Sequence, residues 1–479
     1  MKNSPLKIHL EFWLRHPALG IGISALLGIM NLWLGLGWLA LQIALSPSKA
    51  WVHALFLAIF ALYAQMITSS LPDTMQDRFL FRTHSLQRSS SPFRTDGWLY
   101  KGTILGSLPC SVVYHGKGPR PKADRDYFLT GVLERRDLYN YTLKASSWEP
   151  VPKSWSLAEL RFSIREELRS LLKRHLAHDS ASFLVALFTG DKESRSITYD
   201  FSRLGLQHIL AISGFHFAMI VAFVTFAARQ LLSTNKRVWF LLFAGLLYFL
   251  FVGDSPPVFR SFCTLSLFLG GKILQRYSSG LNLLGASLFI ELLLNPLVCY
   301  SIGFQLSFLS CLAILLFHNP IQKSLETFLP SRSFSELKEL SHPSQCGAIL
   351  IALFKKSLTI MLAVNLALWP LLLFHFHRFP LLSLIYNLFV PEVAALSLCL
   401  LLISLVVYAL APILSLPIFK ITDVVAGSLL ELTANPPVLL DFQFCIALPG
   451  WITLFYLIAL ILFGVHLKAT NQNSTFQRI

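Results

Sequence analysis

Charged residues are scarce in this 479-residue chain: Asp, Glu, Lys and Arg make up 14% of it, against roughly 25% in an ordinary soluble domain. That scarcity excludes a soluble multidomain protein. Hydrophobic residues reach 54%, and apolar runs long enough to cross about 30 Å of hydrocarbon recur along most of the chain. No phosphate-cradling loop of the Walker type is present, so nothing in the chain provides for hydrolysing ATP. The seven cysteines include no CxxC pair, and only Cys110 falls in the one long polar stretch. A disulfide framework and a zinc knuckle are therefore not expected, and the other six cysteines read as packing residues. Long biased segments are missing too, which leaves no room for a disordered or collagen-like chain. Of the two signs of charge the acidic one is rarer: 40 Lys and Arg face 25 Asp and Glu, a net +15 that suits anionic lipid, nucleic acid or acidic substrates.

What remains is a mainly α, polytopic transmembrane bundle with one small β domain inserted after the first spans. Residues 17–46 and 51–71 are the first apolar stretches. Lys2, Lys7 and Arg15 precede them as in a signal peptide, but the run is long and lacks a small-residue cleavage site, so it reads as a retained anchor. Its length is awkward, too long for one span and too short for two. The polar segment follows, and residues 73–178 hold 18 basic and 11 acidic residues. This is either a surface for a polyanion or a solvated face. Short β-type runs at 127–134 and 139–143, between Gly and Pro clusters, predict a small antiparallel barrel. An amphipathic helix comes next, with Leu157, Leu160, Ile164, Leu168, Leu171 and Leu172 on one face and Arg161, Arg165, Arg169 and Lys173 on another. It packs on its own domain, lies on lipid headgroups or touches a ligand. Nine further spans are expected, at 204–228, 238–253, 258–276, 281–297, 301–318, 357–376, 384–411, 416–436 and 448–467. The domains are then 1–72, N-terminal spans; 73–155, the extracytoplasmic β domain; 156–180, the helical linker; 181–467, the main membrane domain; and 468–479, a tail. Loop charge places the polar segment outside and both termini in the cytoplasm, because Arg229, Lys236, Arg237, Lys272, Arg276, the 323–356 lysines, Lys468 and Arg478 then all fall inside.

The densest polar cluster in an apolar setting is the segment 205–219, with His208, Ser213, Gly214 and His216. Polar groups in a span face a bundle interior or a hydrated cavity, so this segment is a candidate pathway lining; close helix packing through Ser and Gly is the alternative. His208 and His216 are two turns apart, too far for an adjacent metal pair. Ser213 beside a histidine also admits an intramembrane hydrolase. Arg260, after Pro256 and Pro257, is the best single group to meet an anion. Gln305, Ser307 and Asn387 are further polar points on apolar segments, and Asp423 is expected to pair with Lys420. The sequence His375-Phe376-His377 lacks the acidic residue and further histidine that a binuclear metal site requires.

Taken together, several segments resemble the ComEC-type competence proteins, which form an inner-membrane channel for DNA uptake. Phe188-Thr189-Gly190-Asp191-Lys192 is similar to the family's Leu-Gly-Asp-Arg element, with Thr189 and Lys192 departing from it. Gly205 to His216 matches Gly-Leu-x-His-Leu-Leu-Ala-Ile-Ser-Gly-Leu-His. Arg260, Phe304 to Phe308, and His375 to Pro391 with Asn387 follow in the family's order. The resemblance covers about 180–467 well and makes the polar segment the family's OB-like barrel. It marks Asp191 and Gly205 as motif residues. The metallo-β-lactamase-like domain of many relatives is not expected here.

The resemblance implies a channel, not an enzyme, that conducts single-stranded DNA inward through the bacterial plasma membrane during natural transformation. It also implies a periplasmic DNA-binding protein that delivers the strand and a cytoplasmic helicase-like motor that draws it in. His208, Ser213, Gly214, His216, Arg260, Gln305, Ser307 and Asn387 would line the route. Lys117, Arg120, Lys122, Arg125, Arg135 and Arg136 would gather the strand outside. Trp98, Tyr127 and Phe128 either stack on bases or form the barrel's core. A small-molecule secondary transporter and a hydrolase centred on Ser213 are the rival readings.

Overall fold

The computed structural model describes residues 5–69, 73–89, 97–105, 108–115, 119–136, 140–253, 255–277, 279–330, 336, 341–437 and 441–476. The first apolar run is divided by its polar residues. Helix α1 (Pro5–Arg15) and helix α2 (Pro17–Met30) meet at a 90° bend before Pro17. Asn31 then adopts an extended backbone that ends α2, and its side chain accepts the Leu34 amide at 3.2 Å, opening α3 (Leu32–Leu45). A polar cap thus turns one overlong run into two short helices. Helix α4 (Pro47–Ser69) is full length.

The polar segment folds as a closed five-stranded barrel in the order β1-β2-β3-β5-β4, from β1 (Thr74–Ser89), β2 (Gly97–Ile104), β3 (Leu108–Tyr114), β4 (Tyr127–Arg135) and β5 (Tyr141–Pro150). β1 pairs with β4 through residues 74–81 and with β2 through residues 82–89, the latter pairing shifting register between Thr83 and Ser85. One long bent strand therefore serves both neighbours, and the parallel β3–β5 pairing closes the ring. This is the strand order of an OB-type barrel. Its interior is filled by Phe81, Tyr100, Val112, Leu129, Leu133 and Tyr141, all buried.

After the barrel come α5 (Ala158–His175), α6 (His178–Thr189), α7 (Arg195–Arg203) and the four-residue α8 (Gln207–Leu210). The expected span at 204–228 does not start at its first apolar residue. Gly205 takes a positive φ of 71°, open to glycine at no steric cost, and Ala211 and Ser213 are extended, so the long helix begins only at Gly214. The membrane part continues with α9 (Gly214–Leu231), α10 (Thr234–Val252), α11 (Pro256–Ile273), α12 (Gly280–Leu294), α13 (Ile302–Phe328), α14 (His342–Phe376), the short α15 (Leu382–Tyr386), α16 (Val390–Leu410), α17 (Pro412–Ala434) and α18 (Gly450–Phe476). Eight described helices are long and apolar enough to cross a membrane, nine if α1 and α2 count as one broken span. The spans expected at 258–276 and 281–297 are α11 and α12, which fall outside that set. α12 has 15 residues, and α11 carries Arg260 and Lys272 among its hydroxyl-bearing residues.

Helix α6 sits at the centre of the largest core. Phe183, Leu184, Val185 and Leu187 are fully buried against Phe201, Leu398, Leu401 and Phe419. Asp423 serves this packing differently from the expected local pair with Lys420. Its carboxylate accepts the Ala177 amide at 3.1 Å, just before α6.

Candidate functional site

The site is built from the barrel inward. Helix α5 turns its arginines toward the protein: Arg165 and Arg169 are buried, whereas Leu160 and Ile164 are 52% and 44% exposed. In the second half of the helix Leu172 is buried and Leu168 and Leu171 pack on the core, while Lys173 of the basic stripe is exposed, so each stripe is covered over part of its length. Buried charge is tolerated only with partners, and they come from distant sequence. Arg165 pairs with Asp191 at 3.1 Å, and its other arm donates to the Phe251 and Val252 carbonyls at 2.9 and 2.7 Å. Those carbonyls belong to the last turn of α10, where no intrahelical donor remains. Arg169 pairs with Glu166, Glu193 and, at 3.8 Å, Asp191. The barrel joins the same lattice. Gln87 donates to Asp191 at 3.1 Å, Arg88 pairs with Glu166 at 3.1 Å, and Arg161 donates to the His84 carbonyl at 2.9 Å. Lys101, on the outer face of β2, and Lys192, next to Asp191, are both accessible. Desolvation lowers both ammonium pKa values from the usual range, and the Lys101 charge depresses Lys192 further.

From Asp191 the contacts run on into the bundle. Gly190 ends α6 in the left-handed region and abuts Ile212, whose side chain lies 3.2 Å from where a Cβ would stand. Ser213 caps α9. Its hydroxyl holds the His216 amide, and the His216 ring accepts from the Ser213 amide at 3.3 Å and lies 3.1 Å from its Oγ. Gly214 lies against the Arg260 guanidinium and the Ser261 hydroxyl. Arg260, itself buried, donates from Nε to the Ser307 Oγ at 2.8 Å. Among the residues read as a lining, the structure therefore joins Ser213, Gly214, His216, Arg260 and Ser307 in one cluster, within the first two turns of α9, α11 and α13. His208 lies close to His216 and is exposed. Gln305 points elsewhere, donating to the Cys299 carbonyl at 3.0 Å and meeting His375 at 2.9 Å. Gly205 packs on Ser383 and Pro380, and Asn387 follows one turn after Ser383 with its Oδ1 buried and without a partner.

The outer basic residues are not one patch. Arg120, Lys122 and Arg125 precede β4, and Arg135 and Arg136 lie at its far end, a nine-residue strand away, or about 25–30 Å. Arg120 makes a two-pronged pair with Glu159 at 2.9 and 2.7 Å, Arg125 pairs with Asp124, and Arg135 with Asp73. Lys122 and Arg136 are exposed; Lys117 lies outside the described residues. Of the aromatics, Tyr127 is barrel core, Trp98 packs on Phe162 beneath Arg120, and Phe128 lies under Arg78. The paired arginines of α5, Lys101, Lys192 and His375 were not singled out from sequence as site residues. The signals in the sequence were the repeat of arginine every fourth residue from Arg161, which presents a single charged stripe, and the place of Lys192 and His375 in segments similar to family elements.

Fold and site together define a multi-pass helical membrane protein whose small β barrel is bonded to one end of its bundle. The family model described as "Competence protein" matches residues 187–470, more than half of the chain, and this protein belongs to that family. It is 26% identical to ComE operon protein 3 of Bacillus subtilis (strain 168) over 253 residues, 52% of this chain and 29% of that protein. It is 30% identical to Competence protein ComA of Neisseria gonorrhoeae over 166 residues, 32% of this chain and 24% of that protein. The aligned regions thus span less than a third of either relative. No solved structure matches the chain.

Proposed function

We propose that this protein takes part in DNA uptake by passing a single strand inward across the bacterial plasma membrane, with its barrel on the outer side and both termini in the cytoplasm. The observation that carries this reading is the run of contacts from the barrel into the bundle: it is polar from Gln87 to Asp191, crosses the apolar Gly190–Ile212 contact, and is polar again from Ser213 and Gly214 to Arg260 and Ser307. A phosphate backbone cannot cross hydrocarbon unaided, and this is where the described protein offers hydrogen-bonding groups in series. Lys101 and Lys192 stand where the barrel meets that line, placed to hold a phosphate before it passes on. The barrel supplies a nucleic-acid-binding type of fold by analogy. The chain acts as a conduit without chemistry of its own. A periplasmic DNA-binding protein and a cytoplasmic helicase-like motor are the partners this reading requires.

The test is uptake of labelled DNA by cells carrying Lys101→Gln with Lys192→Gln, Ser213→Ala or Arg260→Gln, at matched protein abundance. Each is expected to lower uptake; normal uptake in all three would remove the reading. The 3.1 Å contact between Ser213 and His216 also suits a hydrolytic pair. A serine-directed phosphonate probe separates the two readings: labelling abolished by Ser213→Ala would put a hydrolase in place of the conduit.

A further inference from the structure

Arg260 is an arginine without a carboxylate. It is 8% exposed, and none of the ion pairs of the described residues includes it. Its Nε donates to Ser307, its guanidinium lies over the Phe308 ring, 5.9 Å from the centroid, and its Nη atoms have no hydrogen-bonding partner among the described residues. The guanidinium is aimed at the first turn of α9. A Cβ on Gly214 would stand 2.7 Å from Arg260 Nη2 and 2.8 Å from Ser261 Oγ. At that turn the Ser213 cap satisfies the His216 amide, and the Gly214 and Phe215 amides have no acceptor among the described residues. Two positive features, a guanidinium and the N-terminus of an 18-residue helix, are thus held face to face in an apolar bundle. Such an arrangement is unfavourable by itself and is relieved when one anion accepts from both, bridging them at the side of the contact.

We infer that Arg260 and the Gly214 and Phe215 amides form an anion seat for a backbone phosphate of the transiting strand, with Gly214 required because any side chain would displace the guanidinium. The inference rests on the strand-passage reading for its ligand, but not for its chemistry. The seat lies in the first turns of α9 and α11, at the barrel-side end of the bundle. There a phosphate leaving Lys101 and Lys192 would next find charge-assisted donors. Its donors are few, so it holds one phosphate at a time.

The experiment uses the full chain in proteoliposomes, with fluorescent phosphodiester and uncharged methylphosphonate oligonucleotides, and in parallel the thermal unfolding of the same preparations with inorganic phosphate. Arg260→Gln and Gly214→Ala are each expected to slow phosphodiester transit by about tenfold, the worth of one charge-assisted hydrogen bond, and to leave the methylphosphonate rate unchanged. Arg260→Lys keeps the charge and restores part of the rate. Phosphate should raise the unfolding temperature of the wild type and not of Arg260→Gln. Equal slowing of both oligonucleotides, or equal protection of wild type and variant by phosphate, would overturn the seat. If phosphate protects only the wild type while neither oligonucleotide moves through it, the seat stands and the strand-passage reading falls.

Discussion

At the scale of single residues, Asp191 has the most to do. It receives Gln87 from the barrel and Arg165 from α5, with Arg169 within 4 Å, on an almost enclosed side chain. Removing one partner of a buried ion pair strands the other, at about 3 kcal/mol or more. Asp191→Ala should therefore lower stability in detergent by that order, and adding Arg165→Met should recover much of it, because the second change removes the stranded charge. Additive losses in this double-mutant cycle would show that the pair is not coupled. Arg120 and Glu159 make a milder pair at the foot of the barrel. Hydrogen bonding to Arg120 holds the Glu159 carboxyl below its ordinary value of 4.5. A depressed carboxylate contributes stability that is present above the unfolded value and is lost as pH falls through the folded one. Thermal unfolding of the wild type should thus turn more acid-sensitive below about pH 4.5 than that of Glu159→Gln. Parallel pH profiles would count against the pair.

At the scale of elements, α2 and α12 are held at a closer distance than side chains permit. A Cβ on Gly285 would lie 2.3 Å from the Leu19 backbone, and one on Gly22 would lie 2.7 Å from the Gly285 carbonyl. Small residues that let backbones touch are a recurrent means of joining helices in lipid, where there is no hydrophobic drive between them. Gly285→Val should separate α2 from α12 and reduce both membrane abundance and unfolding temperature. Gly303→Val, in helix α13 with open space around it, is the matched control and should change little. Similar behaviour of the two variants would mean that helix propensity, not the crossing, sets the cost. α5 teaches a related lesson. Its leucines and arginines each make a stripe, and periodicity alone does not say which stripe is covered. Both are covered in part: Leu168, Leu171 and Leu172 join the core, and Asp191 and Glu193, about two dozen residues downstream, bury Arg165 and Arg169 by offering counter-charges.

At the scale of the whole molecule, two exposed cysteines report the orientation. Cys346 lies near the start of α14, and Cys445 follows the strand pair Phe379–Pro380 and Gln443–Phe444 that joins the segments after α14 and α17. With the barrel outside, an impermeant thiol reagent applied to intact cells should modify Cys445 and spare Cys346 until the membrane is opened. The reverse pattern would invert the proposed topology. The same frame places every contact from Gln87 to Ser307 at the outer end of the bundle, so substitutions there should affect DNA uptake more than those at the opposite end.

The start of α9 at Gly214 was not legible in the sequence, since 204–228 reads as one apolar run, whereas the membrane character, the barrel and the segments shared with competence proteins were, because each depends on local composition or residue order. The division of 17–46 at Asn31 was less so, since a single polar cap weighs little against thirty residues of apolar pattern. Which residues meet was beyond sequence: that Gln305 turns to His375 while Ser307, two positions on, turns to Arg260, or that Asp423 caps α6 in preference to pairing with Lys420. Those outcomes rest on which helix lies beside which, and buried charges and hydrogen-bonding groups take the partner that packing brings within reach.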